Sequence, residues 1–506
     1  MPAKQKFYLT TSIAYVNGLP HVGYAAELTQ ADVLARWHRM LGEDVFFLTG
    51  TDENSLKLLK AAEVAGLTPQ QLADQNAGRF RDLTETLGLS NDGFIRTTDE
   101  PKHFPGAQAL WQKMEENGAI YKGTYEGLYC IDCEQFYTPK ELLDGKCPIH
   151  GTEPEPRSEE NYLFKLSQYG SKIRELIESG VYEVVPESRR NEVLSFLENE
   201  LHDISFSRPA ARLSMGVPVP GDESQTMYVW CDALANYLTG IGFGRDEAQF
   251  KHYWPADVHV IGKDIIRFHA VYWPAMLLAA GLELPKRLYV HGFFTVEGVK
   301  MSKSLGNVVD PFTLADKHGA DALRYYLVAA MPYAGDGDYS ERHFSEIHDS
   351  HLANDFGNLA SRVLAMVEKA YDGVVPEGSP DSALKEHVGQ TYHRLRQLLD
   401  DGSLAAALEA LHALVITANR YVEQREPFKQ SGQDQADTLY ALVQVLGHLA
   451  LLYQPFMPAA AATLQKRLGI TQTGWDTKSL REFEKVPPGT VVAKGEALFP
   501  KTEQKL

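Results

Sequence analysis

The sequence is poor in cysteine and in long apolar runs. Four cysteines among 506 residues are too few for the disulfide framework of a small secreted domain. The longest apolar run, from Ala270 to Leu282, contains Pro274 and is too short to cross a bilayer. The amino-terminal segment also lacks the apolar stretch of a secretory signal. We therefore expect a cytoplasmic protein with no membrane segment.

Positive charge is scarce as well. Lys and Arg total 49 against 67 Asp and Glu, which gives a formal net charge of −18. This balance excludes a bulk cationic field that would hold nucleic acid or anionic membranes without specificity. It leaves a local RNA site open. Gly and Pro number 40 and 26, an ordinary share that excludes collagen-like and low-complexity chains.

The length predicts about three or four structural units with separate cores. Strand and helix patterns alternate in two parts of the chain, which predicts a doubly wound parallel α/β sheet of the Rossmann type. Between these parts, turns and cysteines indicate an insertion, and the carboxyl-terminal part reads as a helical bundle. The predicted units are a first half of the α/β domain, the insertion, a second half of the α/β domain and a helical domain, at residues 1–117, 118–220, 221–345 and 346–506.

Two segments have the composition of phosphate-binding loops. The first, His21-Val22-Gly23-Tyr24, lies between the first predicted strand and the first predicted helix, where backbone N–H groups and the helix dipole favour an anion. The second, residues 300–307 (KMSKSLGN), is a cationic loop able to clamp a pyrophosphate. Taken singly, the first could be an ordinary turn before a helix and the second a solvated surface loop.

Three of the four cysteines cluster in the insertion. Two C-x2-C/H pairs supply four ligands for tetrahedral zinc with no open position, so we expect one structural Zn²⁺. The predicted ligands are Cys130, Cys133, Cys147 and His150. The alternative is a set of unliganded thiols, and the isolated Cys231 reads as a core residue.

Together these segments resemble the class I aminoacyl-tRNA synthetases, whose "HIGH" and "KMSKS" motifs they match. Further stretches narrow the resemblance to the methionyl-tRNA synthetase family. They are residues 11–23 (TSIAYVNGLPHVG), 31–39 (ADVLARWHR), 46–53 (FFLTGTDE), 228–237 (YVWCDALANY), 261–274 (IGKDIIRFHAVYWP), 301–311 (MSKSLGNVVDP) and 319–327 (GADALRYYL).

The resemblance implies activation of L-methionine with ATP and Mg²⁺, followed by transfer to tRNA(Met). It implies that His21 and Lys303, supported by Lys300 and Tyr24, stabilise the triphosphate. The ATP-binding residues it implies are Gly23, Lys263, Asp264, Ser302 and Ser304. On spacing alone, Asp264 could equally cap the helix that follows it.

A thioether is recognised by shape and by soft contacts with aromatic rings. The resemblance implies a methionine pocket in which Asp52 pairs with the α-ammonium group. The remaining pocket residues are Ile13, Tyr15, Trp230, Ala233, Tyr237, Ile265, Phe268 and His269. Each of these aromatic residues, taken alone, is more often part of a core.

The helical end carries the implied anticodon site. Asn358 and Arg362 are four apart and share a helix face, which could also be merely solvated. They match the family's N-L-x-x-R pair, and Phe428 stands where the family has a tryptophan. Anticodon bases stack on such rings. The zinc insertion is implied to seat the tRNA acceptor end.

Two departures from the family pattern suggest alternatives. Tyr24 replaces the second motif histidine and cannot become cationic near neutral pH; Asn54-Ser55 replaces His-Gly. They motivate a non-catalytic or weakly active paralogue that binds tRNA or methionine. A different class I synthetase, leucyl or cysteinyl, is the other rival. Because the sequence ends soon after the bundle, we also expect a monomer.

Overall fold

Seven parallel strands form the sheet around which the chain is built. This computed structural model describes residues 4–131, 135–137, 139, 142–148, 151–211, 213, 215–301, 306–471 and 480–501. The strands are β1 Lys6–Thr11, β2 Ala14–Tyr15, β3 Asp44–Asp52, β4 Gly93–Arg96, β5 Ile120–Cys130, β6 Gln135–Tyr137, β7 Glu155–Phe164, β8 Glu183–Val185, β9 Ile204–Ser205, β10 Ser207–Pro209, β11 Pro218–Val219, β12 Asp222–Met227, β13 Val258–Gly262, β14 Arg287–His291, β15 Phe294–Val296, β16 Val299–Lys300 and β17 Gly337–Tyr339.

Helices surround the sheet and make up almost all of the carboxyl-terminal part. They are α1 Val22–Met40, α2 Leu56–Ala65, α3 Pro69–Thr86, α4 Glu100–Glu116, α5 Gly170–Glu178, α6 Glu187–Phe196, α7 Val229–Thr239, α8 Glu247–Tyr253, α9 Trp273–Ala279, α10 Pro311–His318, α11 Ala320–Ala329, α12 Glu341–Ile347, α13 Asn358–Tyr371, α14 Ser382–Asp400, α15 Leu404–Arg425, α16 Gly432–Leu452 and α17 Pro458–Arg467. Within the described ranges, no helix has the length and apolar character needed to cross a membrane.

The sheet has the predicted parallel, doubly wound topology. Strands β3, β1, β13, β14 and β8 follow one another in that order, and β2 and β4 both pair with β3. From β1, the chain reaches β3 on one side and β13 on the other. Such a reversal of strand order opens a crevice at the carboxyl ends of the two strands, where ligands of α/β proteins bind.

The 118–220 segment contributes strands to three different sheets, one of which pairs β10 and β11 with β12. Strands β6, β5, β7 and β9 form a separate antiparallel sheet, as an insertion would. Strand β8 instead joins the edge of the parallel sheet, where Glu183 to Val185 pair with Arg287 to Tyr289 of β14. Three residues are too short for a periodic pattern, so the sequence offered no sign of this strand.

Residues 226–230 (TMYVW) are mainly β-branched and aromatic, a composition that predicts a strand, and here the structure differs. Strand β12 ends at Met227, and helix α7 begins at Val229. Trp230 therefore lies on the first turn of a helix. Ala233, Leu234 and Tyr237 follow Trp230 at helical spacing. This helical pattern covers more residues than the strand-like composition does, so the segment from Val229 forms a helix.

The expected separation of cores also differs from what is observed. One apolar cluster runs from β1 and α1 through α11 into the bundle helices α13 to α16. Helix α1 explains this continuity, since it contacts β1, β3 and β13 on one side and α11 on the other. A helix buried on both sides leaves no solvent layer between the sheet and the bundle.

A buried ion pair lies inside this continuous core. Arg324 of α11 is fully buried, and its Nη2 atom is 2.7 Å from Oδ2 of Asp32 on α1. The same guanidinium group donates to the carbonyl oxygens of Leu87, Pro455 and Phe456. Burial opposes ionisation of Asp32, but the charges of Arg324 and Arg36 lower the pKa of its carboxyl group below the ordinary value.

Replacing Arg324 with leucine should therefore be costly, because it removes one of the two arginines that pair with Asp32 and leaves three buried carbonyl groups without their donor. We expect Arg324→Leu to lower the free energy of unfolding by about 3–5 kcal/mol. Arg342 is a matched control, since its side chain is 87% exposed and lies 3.9 Å from Glu346. Arg342→Leu should cost about 0–1 kcal/mol. Denaturant unfolding measures both, and equal losses would contradict the assigned role of Arg324.

Candidate functional site

A cavity of about 450 Å³ lies at the carboxyl ends of the parallel strands. Its walls come from the segments that follow β1, β13 and β14 and from the end of β3, so it occupies the crevice at the strand-order reversal. The sequence-predicted residues that line it are Ile13, Tyr15, His21, Gly23, Tyr24, Asp52, Trp230, Ala233, Tyr237, Asp264, Ile265, His269 and Lys300.

The start of α1 forms one end of this cavity. His21 is the residue that caps the helix, and its Nδ1 atom accepts a hydrogen bond from the Gly23 N–H at 3.1 Å. In a neutral imidazole the proton is then on Nε2. A Cβ atom at position 23 would lie 3.1 Å from the His21 ring and 3.3 Å from Met301 Cε. A side chain at position 23 would therefore crowd the His21 ring and the side chain of Met301.

Tyr24 lines the cavity with its ring, while its hydroxyl group is directed toward β3. The hydroxyl oxygen lies 3.3 Å from Thr49 Oγ1 and donates to the Gly50 carbonyl at 3.4 Å. The ring packs edge-on against Phe80, with 5.2 Å between centroids. Burial raises the pKa of the Tyr24 hydroxyl far above its ordinary value, so this group stays neutral.

A buried acid and base form the floor beside α1. Glu27 accepts from the Ser12 N–H at 2.9 Å, and its other oxygen lies 2.8 Å from His291 Nε2. Burial opposes protonation of His291, but the Glu27 carboxylate favours it, and the net effect raises the pKa of His291. Sequence reasoning missed both residues. A glutamate on the buried face of an apolar helix was the available signal for Glu27.

Two lysines flank the ring of Phe293 at the rim of the cavity. The ammonium groups of Lys263 and Lys300 lie 4.4 Å and 4.9 Å from its centroid. Lys263 also pairs with Asp336, at 2.7 Å, and does not line the cavity. Ser302, Lys303 and Ser304 lie outside the described residues, so their predicted roles stay predictions.

Aromatic rings stack in layers at the other end of the cavity. Trp230 stacks on Phe268, with 3.7 Å between centroids and 7° between planes, and Tyr15 meets Trp230 edge-on. Phe268 is therefore behind Trp230 rather than in the cavity wall. The Tyr237 hydroxyl lies 2.7 Å from His269 Nε2, and His269 Nδ1 lies 3.0 Å from the Ile265 carbonyl.

The two contacts of His269 define its protonation state. Nδ1 must donate, since a carbonyl can only accept, and Nε2 of the neutral ring then accepts from the Tyr237 hydroxyl. Burial lowers the pKa of His269 from 6.5 to about 4, so the neutral ring is the form present near pH 7. The pair gives this end of the cavity a polar group without a charge.

Asp52 is a second buried acidic group in the cavity wall. It is 3% exposed and ends strand β3. Its Oδ1 atom accepts from the Asn54 N–H at 3.0 Å, which orients the carboxylate. A carboxylate beside aromatic walls suits a ligand that combines an ammonium group with an apolar side chain.

The predicted zinc ligands are described only in part. Cys133 and His150 lie outside the described residues. Cys130 and Cys147 are both buried in one small cluster with Tyr137. Sγ of Cys130 lies 3.6 Å from Thr152 Oγ1, and Sγ of Cys147 lies 3.8 Å from the Tyr137 hydroxyl. Among the residues that the structure covers, no group of three or more metal-ligating side chains occurs.

The predicted anticodon residues lie on the bundle. Asn358 is exposed at the start of α13, and Arg362 is half-buried one turn later. Phe428 lies in the short turn between α15 and α16, and 57% of its surface is exposed. Helix α13 packs against both α15 and α16. An exposed phenylalanine on a tight turn is available for stacking by a partner.

Family comparisons agree along almost the whole chain. The family described as "tRNA synthetases class I (M)" matches residues 7–148 and 132–364. The "Anticodon binding domain of methionyl tRNA ligase" matches residues 374–505.

Individual relatives give the same result. A protein of Brucella suis named "Methionine--tRNA ligase" is 44% identical over 92% of each chain. One of Caldanaerobacter subterraneus with the same name is 41% identical over 99% of this chain and 79% of its own. The Mycobacterium tuberculosis methionyl-tRNA synthetase bound to methionyl-adenylate superposes with a TM-score of 0.93, at 41% identity over 98% of this chain and all of that one. This chain belongs to the methionyl-tRNA synthetase family of class I tRNA synthetases.

Proposed function

We propose that this protein activates L-methionine with ATP and transfers it to the 3′-terminal adenosine of tRNA(Met). The observation that carries the proposal is the cavity at the strand-order reversal. One continuous wall includes the His21–Tyr24 helix start, the ring-bearing residues of α7 and the carboxylate of Asp52. Such an arrangement suits an amino acid and a nucleotide that must react with each other.

In the first step, a methionine carboxylate oxygen attacks the α-phosphorus of ATP, and pyrophosphate leaves. Asp52 pairs with the substrate ammonium group, and Trp230, backed by Phe268, contacts the thioether. Tyr15, Ile13, Ala233 and Ile265 complete the apolar wall. The neutral Tyr237–His269 pair tolerates a thioether but leaves a charged side chain without a counter-ion, which favours methionine over acidic and basic amino acids.

The nucleotide end contributes position and charge. His21 presents an Nε2–H donor toward the phosphates, and Gly23 lets them approach the backbone. Lys300 and Lys303 balance the charge of departing pyrophosphate, with Ser302 and Ser304 as donors, and Asp264 binds the ribose hydroxyls. Lys263 acts through its ion pair with Asp336, which also accepts a hydrogen bond from the Phe293 N–H. Mg²⁺ accompanies ATP and neutralises its phosphates; we assign it no protein ligand.

In the second step, a ribose hydroxyl of the tRNA end attacks the carbonyl carbon of the adenylate, and AMP leaves. We assign no protein base to this step. Asn358, Arg362 and Phe428 are proposed to recognise the anticodon, with the exposed Phe428 ring as a stacking surface. Translation takes place in the cytoplasm, where we place the protein.

Zinc is proposed to hold the insertion together through Cys130, Cys133, Cys147 and His150. The burial of Cys130 and Cys147 in one cluster supports this assignment, because it brings the thiol at the end of β5 together with a thiol from a later loop. When bound, zinc supplies a closed structural crosslink. This would stabilise the loops beyond β5.

The decisive assay is exchange of labelled pyrophosphate into ATP. We expect exchange that depends on methionine and not on leucine or cysteine, because the cavity joins an ammonium site to a thioether pocket. Exchange driven by leucine or cysteine would instead support a different class I synthetase. Bound methionine without any exchange would support a non-catalytic paralogue.

The pKa of His269 should be visible in the pH dependence of stability. As pH falls below 6.5, the unfolded chain takes up the proton first, so the native state loses stability until its own ring titrates near pH 4. We expect this contribution to be on the order of 3 kcal/mol. It is measured as the difference in unfolding free energy between the unaltered protein and His269→Asn, which should shrink as pH falls. Parallel curves would contradict the buried, neutral assignment.

Metal analysis tests the insertion. The purified protein should hold one zinc per chain, and Cys147→Ser should lose it, because replacing a thiolate opens the tetrahedral set. Cys231→Ser is the matched control, since Cys231 is also buried but lies on α7. Equal zinc content in the two variants would show that Cys147 is not a ligand.

A further inference from the structure

Four polar side chains form a buried, hydrogen-bonded row behind the ring-lined pocket. Asn54 Nδ2 donates to Asp232 Oδ2 at 2.6 Å, and Asp232 Oδ1 lies 2.6 Å from His103 Nε2. His103 Nδ1 lies 2.9 Å from Thr239 Oγ1. None of the four has any exposed surface. The row therefore meets no solvent, and its bonds must be satisfied internally.

This row joins the two parts of the pocket that touch different ends of an amino acid. Asn54 follows Asp52 by two residues and orients its carboxylate through the backbone N–H. Asp232 lies on the first turn of α7, between Trp230 and Ala233, which both line the cavity. The bond from Asn54 to Asp232 is thus a direct link between the carboxylate site and the ring-bearing helix.

The carboxylate of Asp232 is well supported where it lies. It sits at the amino-terminal end of α7, where the helix dipole favours negative charge. His103 on α4 and Asn54 each contribute a nitrogen to one of its oxygens. Removing the Asn54 amide would leave Oδ2 of Asp232 buried without its donor. A buried carboxylate oxygen that lacks a donor costs far more free energy than one that water can reach.

Gly216 packs directly against the amide group of Asn54. A Cβ atom at Gly216 would lie 3.0 Å from Asn54 Nδ2 and 3.1 Å from its Oδ1. That Oδ1 atom is buried and has no hydrogen-bond partner among the described residues. A side chain that only filled space could be apolar there, without this unsatisfied oxygen. The amide is retained for its one short bond to Asp232.

We propose that Asn54 and Asp232, held by His103, are positioning residues that set the distance between Asp52 and the thioether pocket. Through this distance they select amino acids by side-chain length. The inference rests on the proposed activation of methionine and adds to it a set of residues that do not touch the substrate. When the two parts of the pocket are held at a fixed distance, the protein can discriminate against an amino acid whose side chain is one methylene group longer or shorter than that of methionine.

The test compares methionine with S-methylcysteine, one methylene shorter, and ethionine, one carbon longer, by pyrophosphate exchange. Asn54→Leu keeps the branched shape and the number of heavy atoms, with some added volume, and removes the donor. We expect its KM for methionine to rise about ten- to hundredfold. Its preference for methionine over the two analogues should fall by about tenfold, while its KM for ATP stays unchanged.

A second variant exchanges donor and acceptor. In Asn54→Asp/Asp232→Asn the row keeps one carboxylate and one amide, so the bond can form in the opposite direction. We expect the preference for methionine to be retained. Should Asn54→Leu fail to fold, this double variant decides alone: a folded protein that has lost the preference would overturn the proposal.

A control separates positioning from general destabilisation. Asn161 is also buried, and it donates to Ser205 Oγ at 2.8 Å in the antiparallel sheet of the insertion. Asn161→Leu should lower stability but leave the preference for methionine unchanged. If Asn54→Leu behaves like this control, the row is merely structural. If the unaltered protein shows no methionine-dependent exchange, the proposed function fails instead.

Discussion

The ion pair between Arg324 and Asp32 is the constraint on which the arrangement of the molecule depends. It lies where α1, α11 and the α16–α17 turn meet. The Arg324 side chain also donates to three carbonyl groups, which would otherwise form hydrogen bonds with water. Because a broken pair would leave buried charge, the pair favours the docking of bundle on sheet in which Arg324 meets Asp32. Bundle and sheet consequently share one apolar core.

Helix α1 carries this constraint to the site. His21 and Gly23 lie at its start, Glu27 lies on its second turn, and Asp32 follows Glu27 by about one and a half turns. A helix held by a buried ion pair resists sliding, so His21 and Gly23 keep their place in the cavity wall. The row from Asn54 to His103 holds α7 in the same way. Both walls are thus positioned by buried charge rather than by shape alone.

Strong local signals made much of this predictable from sequence. The strand of residues 258–262 and the helices near 56–66, 69–87 and 404–425 follow from their apolar periods, and the family motifs located most of the cavity wall. What could not be predicted depends on long-range pairing. The three residues of β8 become a strand only beside β14, and Phe268 moves behind Trp230 because the two rings stack. Glu27 and His291 meet across 264 positions, which no local pattern records.

The shared cavity has a thermodynamic consequence. No wall of protein separates the aromatic end from the phosphate-type end, since Asp52, Tyr15 and Gly23 border one continuous space. Each substrate, once bound, therefore becomes part of the surface that the other one meets. Their binding free energies are linked. If bound ATP changes the affinity for methionine by some factor, bound methionine changes the affinity for ATP by the same factor. Two ligands coupled in this way act on each other directly, and no change of fold is needed to carry the signal.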